Sequence, residues 1–205
     1  MTSVTEINRN EFSDNFIARL EKLIEKKDRG ALAMLRRGMG KEFPFDVYRF
    51  MPFKRSQWQE DAALLIGPLF AHWHQGEEKP KNAGEDENLG ASMLVLVNAM
   101  VREGANPDDA AKRVERRFSA LLNCHADDLK PHLRHAVSLL KSKDVPLNWR
   151  LLCDHVQWWG HEDRWVQRDW ARSFWARKES DEQLEMNNES GSSEETGAGA
   201  SSEEE

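Results

Sequence analysis

The sequence is poor in cysteine: its two thiols, Cys124 and Cys153, lack the spacing of a redox motif and are too few to staple 205 residues. Reduced thiols point to an intracellular protein. No apolar run approaches the roughly 20 residues that span a bilayer, so no membrane-crossing helix is expected. The segment MTSVTEINRNEFSD has neither a basic n-region nor an apolar h-region, which reads as no signal peptide and a cytoplasmic location. Alternating strand patterns are missing, as is any HExxH or closely spaced cysteine pair. His132 and His135 are three apart and Cys124-His125 and Cys153 with His155 flank them, yet without those patterns they read as surface or cap histidines, not zinc ligands. Gly38-Met39-Gly40-Lys41 lacks the spacing and the preceding strand of a phosphate loop. No nucleophile with a matching base can be named, so neither catalysis nor a cofactor is expected.

What is present is charge, unevenly placed. The formal charge of −7 hides a split, because residues 179–205 carry ten acids and no Lys or Arg. The remainder, 1–178, sets 29 basic residues against 26 acidic ones and is positive by three. A nucleic-acid partner depends on where positive charge clusters, so the acidic overall balance does not exclude one. The stretch ESGSSEETGAGASSEEE cannot bury enough apolar surface to offset its ordering entropy, and 179–205 is expected to be a disordered acidic tail.

Elsewhere apolar residues recur at helical spacing, as in Phe16, Leu20, Leu23 and Ile24, or Leu65, Ile66, Leu69, Phe70 and Trp73. Ser56 with Gln59 forms a capping-box pattern, and Asn106-Pro107-Asp108-Asp109 supplies an N-cap, a first-turn proline and acids at the positive helix end. The pattern predicts an all-α bundle of about nine helices, near 11–27, 29–37, 44–51, 57–74, 90–103, 107–122, 129–142, 147–158 and 161–177, with Pro68 kinking the fourth. The polar run QGEEKPKNAGEDEN at 75–88 reads as a surface loop between an N-terminal lobe, 1–74, and a C-terminal lobe, 89–178.

Basic side chains fall on definite faces. Val114, Phe118, Leu121 and Leu122 point one way, and Arg113, Arg116 and Arg117 share a face turned from them. In the next helix Leu129, Leu133, Ala136 and Leu140 go inward and leave Lys130, Arg134 and Lys141 on one flank. Arg36 and Arg37 end a short helix, where they also suit its negative pole. Phosphates are the natural complement of such ridges, because Arg forks match phosphate oxygens and each neutralised phosphate releases counterions. The plain alternative is a solvated face laced with salt bridges. Six of eight tryptophans lie between 149 and 175. Val166, Trp170 and Phe174 share a core-like face, while Arg164, Arg168 and Trp175 lie opposite, suited to stacking an unpaired base or to packing on a neighbouring subunit.

An ordered set of segments resembles one known family. Ala33-Met34-Leu35-Arg36-Arg37, Tyr48-Arg49-Phe50 leading to Pro52-Phe53, Asn88-Leu89-Gly90, Val114-Glu115-Arg116-Arg117-Phe118, and Leu147-Asn148-Trp149 followed by Trp158-Trp159-Gly160 are similar to segments of the CasB small subunit of type I-E CRISPR Cascade surveillance complexes. The resemblance covers roughly 31–175. It implies an all-helical, non-catalytic protein present as a homodimeric pair among other Cascade subunits, lying along guide RNA and target and helping to hold the displaced single-stranded DNA. On that resemblance Arg36, Arg37, Arg116 and Arg117 are expected backbone contacts, while Arg113, Arg134 and Lys141 rest on the helix faces alone. A structural adaptor that binds protein subunits without touching nucleic acid is the rival expectation.

Overall fold

A computed structural model describes residues 4–40 and 45–175, with side chains from residue 11 onward. Among these residues there are no strands. Helices α1 (Val4–Glu25), α2 (Arg29–Arg37), α3 (Gln57–Trp73), α4 (Leu89–Arg102), α5 (Pro107–Asn123), α6 (Leu129–Ser142) and α7 (Trp149–Gln157) follow in order. An eighth, α8, occupies 165–175. The acidic tail expected at 179–205 lies outside the described residues.

The caps read from sequence are made. Ser56 Oγ accepts the Gln59 N–H at 3.4 Å and the Gln59 side chain accepts the Ser56 N–H at 2.8 Å, which sets the start of α3. Asn106 Oδ1 accepts the N–H groups of Asp108 and Asp109 at 3.0 and 3.2 Å, opening α5 with Pro107 in its first turn. Helix α3 runs through Pro68 and is buried on most sides by Ala62, Ala63, Ile66, Leu69, Phe70 and Trp73. It packs against α1, α2, α6 and α7, while α5 packs against α4 and α6.

Three expected helices differ, the first because α1 starts at Val4, seven residues before the expected 11. The 44–51 segment forms a 3-10 turn, Phe45–Arg49, because a stretch this short, ended by Pro52, cannot offset the cost of α-helix nucleation. Its Val47 is fully buried against Gly67, where an added Cβ would lie 3.1 Å from a Val47 methyl. The helix expected from 161 starts at 165: Arg164 adopts φ 48°, and His161 Nδ1 accepts the Asp163 N–H at 3.2 Å, closing a turn instead.

The C-terminal helices are locked by close approach. A Cβ on Gly90 would sit 2.0 Å from the Trp170 carbonyl oxygen, so only glycine lets α4 meet α8 there. Beside it, Asn88 caps α4 through the Ala91 N–H at 3.2 Å and donates to the Asp169 carboxylate at 2.7 Å and the Ser173 hydroxyl at 2.8 Å. The buried Trp170 indole N–H donates to His155 Nδ1 at 2.7 Å, and burial holds that imidazole down at about 4. His74 is likewise held at about 4 by burial; its Nδ1 meets the Phe70 carbonyl at 3.0 Å and its Nε2 accepts the Lys81 N–H at 3.2 Å. The 75–88 connection is fastened over the core: Ala83 N–H donates to the Leu147 carbonyl at 3.1 Å and Lys81 pairs with Asp144 at 2.7 Å.

Candidate nucleic-acid interface

Helix α5 turns Ala110, Val114, Phe118, Leu121 and Leu122 inward. That leaves Arg113, Arg116 and Arg117 exposed, joined by Lys112, which the sequence reading did not single out although it lies one turn before Arg116. None of these four cations has an ion-pair or hydrogen-bond partner among the described residues. By contrast Arg150 meets Asp14 and Glu21, and Arg55 meets Glu60 at 3.0 Å. The α5 ridge is therefore a row of cations whose full donor capacity faces solvent.

The other expected residues gather at a different place. Arg36 Nη1 reaches the Ala71 carbonyl at 3.5 Å, Lys141 Nζ donates to the His72 carbonyl at 2.5 Å, and Arg134 Nη1 donates to the Met39 carbonyl at 3.1 Å. These carbonyls end α3 and follow the last turn of α2, where backbone acceptors lack helical partners and the dipole is negative. His72 stands among the three cations; burial first, then Lys141, Arg134 and Arg36, push its imidazole below the ordinary range. Lys141 is half-buried, and burial pushes its ammonium down, Glu77 working against that shift and Arg36 with it. Arg37 is exposed.

A groove of about 460 Å³, lined by Arg117 of α5 and by His135, Ser138, Leu139 and Ser142 of α6, lies between the two places. Ser138 is its link to the cluster, with Oγ 3.5 Å from His72 Nε2. Thus Arg117, Ser138, His72, Lys141, Arg36 and Arg134 form a connected path across α5, α6 and the end of α3. Among the described residues no group of three or more His, Cys, Asp or Glu side chains is placed to hold a metal ion.

The tryptophan stripe is more occupied than its spacing suggested. Trp149, Trp159 and Trp170 are buried, and Trp175 packs its ring 5.8 Å from Phe118 and 5.0 Å from Phe174. Arg164 Nη2 donates to the Leu122 carbonyl at 2.5 Å. Aromatic exposure lies elsewhere, at Phe53 (96% exposed), Phe45 (72%) and Trp58 (68%), and Trp58 lines a groove of about 630 Å³ shared with α1 and the end of α7. The separation of these rings in sequence from the tryptophan-rich stretch hid them.

The profile of the CRISPR-associated protein Cse2 family matches residues 31–175. No curated protein matches. Among solved structures, a chain of a CRISPR RNA-guided surveillance complex aligns with a TM-score of 0.67 at 24% identity, covering 86% of this chain and 98% of that one. A chain of a pre-nicking surveillance complex aligns at 0.64 and 25% identity over 85% and 98%. CasB from M. ruber aligns at 0.57 and 26% identity over 76% and 89%.

Proposed function

This chain belongs to the CRISPR-associated Cse2 family, and on that premise we propose that it is a non-catalytic subunit of a CRISPR RNA-guided surveillance complex that binds the backbone of displaced single-stranded DNA. The observation that carries the reading is the α5 ridge: Lys112, Arg113, Arg116 and Arg117 are exposed and unpaired within the described fold. Folding has left these charges without internal partners, and phosphates satisfy them by fork geometry and counterion release. Contacts of this kind carry no base readout, which suits a protein that must accept any target. R-loop formation exchanges one duplex for another of nearly equal stability, so modest backbone contacts to the displaced strand tip the balance. The chain of a pre-nicking surveillance complex, matched along 98% of its length, supports membership of such an assembly. Other subunits and a second copy of this chain are the partners this reading requires.

A second reading has its own observation. Trp58 exposes large apolar area in a groove, and Phe53, five residues earlier, is almost fully exposed, the usual mark of a protein-facing surface. The two readings separate in the assembled complex. With Arg116→Ala/Arg117→Ala, backbone binding predicts normal assembly and guide loading but an opened target that recloses faster. Loss of the variant subunit from the purified complex would favour an adaptor role for these arginines instead.

A further inference from the structure

The last described residues lie against α5. At the start of α8 Arg164 meets the Leu122 carbonyl, whereas at its other end Phe174 and Trp175 lie 4.8 and 5.8 Å from the ring of Phe118, nearer the middle of α5. Trp175, the last described residue, therefore lies beside the middle turns of α5, around the helix from Lys112 and Arg116. After Ala176-Arg177-Lys178 comes the segment 179–205, with ten carboxylates and no cation.

We infer that this acidic segment docks on the α5 ridge and occupies Lys112, Arg113, Arg116 and Arg117 until a nucleic-acid backbone displaces it. Charge complementarity favours the match: the ridge has no partner among the described residues, and carboxylates fill a guanidinium fork as phosphates do. Glu194-Glu195 and Glu203-Glu204-Glu205 present adjacent charges, as a phosphate backbone does. Reach favours it too, since a flexible linker as long as 179–205 would span roughly 30 Å, enough to cover the ridge from Trp175. Tethering at that distance gives an effective concentration in the millimolar range. The acids already on α5 do not fill the role: Asp108 and Asp109 lie one turn before Lys112 and Arg113 and Glu115 on the flank toward α8, and none of the three pairs with the ridge. The consequence is selectivity, because weak, scattered nucleic-acid contacts lose to the tethered acids while a strand held in place by the complex wins. The competition rests on the proposed backbone binding; the docking itself does not.

Two measurements on the full-length protein test this. Carbodiimide coupling joins carboxylates to lysine amines, and at about 20 mM salt the segment's acids should couple to Lys112 at least about five-fold more than to the exposed Lys54 and Lys130, with the preference lost near 0.5 M salt. A fluorescent oligothymidylate should bind roughly three- to ten-fold more tightly when all ten acids are changed to Gln or Asn. In an Arg116→Ala/Arg117→Ala background the same neutralisation should change affinity by less than about two-fold, because the docking surface is gone. Equal tightening in both backgrounds would mean general repulsion and overturn the proposal, as would coupling without preference for Lys112. Selective coupling to Lys112 in a protein whose neutralised form binds no oligothymidylate would uphold the docking and reject the phosphate reading of the ridge.

Discussion

Helix α5 and the C-terminal end of α3 carry the same kind of side chain in different employment. On α5, Lys112, Arg113, Arg116 and Arg117 face solvent with nothing opposite. At the end of α3, Arg36, Arg134 and Lys141 are turned onto backbone carbonyls and surround His72. Both groups lie on the polar side of an amphipathic helix, so periodicity alone treats them alike. The tertiary neighbour makes the difference: the second group faces carbonyls at helix ends, beyond the regular helical ladder, and it stabilises the fold before any ligand arrives. The first group contributes little to folding and keeps its charge for something else.

The largest effect of a single substitution should come from breaking the frame that carries both regions. Gly90→Ala places a methyl group into the Trp170 carbonyl, and separating α4 from α8 should cost about 3 kcal/mol or more, lowering the thermal midpoint by roughly 6–12 °C. Acid should act next. His74 and His155 are held neutral at about 4, while in the unfolded chain they titrate near 6.5. Between those values the unfolded state takes up protons first, so stability is fully present above about pH 6.5 and falls as pH drops toward 4, by up to roughly 1.4 kcal/mol per pH unit for each histidine. Denaturant midpoints across that range would show a flat plateau if the two imidazoles titrated normally.

Smaller changes sharpen the comparison. Lys141→Ala removes the bond to the His72 carbonyl and should cost about 1–2 kcal/mol, whereas Arg113→Ala should stay within about 0.5 kcal/mol. Chemical denaturation of both variants checks the contrast. Lys141→Ala should also let the His72 imidazole titrate at higher pH, visible by NMR, because one of the cations holding it down is gone. An unchanged His72 would mean that Lys141 takes no part in setting its proton affinity.

The helical architecture was legible because caps and apolar spacing act within a few residues. Ser56 and Gln59, or Asn106 and Pro107, declare a helix start without help from the rest of the chain. The placement of the cations was half legible for the same reason. Spacing correctly turned Arg116 outward, but the partner of Lys141 lies on His72 and that of Arg134 on Met39, both distant in sequence. The Asn88-Leu89-Gly90 segment could be matched to a family, but its physical reason, contact with Asp169, Trp170 and Ser173, required the fold. Trp175, expected beside Arg168 as a stacking platform, is occupied by Phe118 for the same reason.

The central claim is that the α5 ridge is free for phosphates and the α3 cluster is not. Single-stranded DNA affinity measured against salt for Arg116→Ala/Arg117→Ala, beside Arg36→Ala/Lys141→Ala, tests it most directly. The ridge variant should keep its thermal midpoint, bind unrelated sequences more weakly, and show a log K against log salt slope smaller by roughly 1–2 units. The cluster variant should lose several degrees of thermal stability with a slope close to that of the unaltered protein. A ridge variant that folds normally and keeps both affinity and slope, or a cluster variant that carries the slope change instead, would contradict the account.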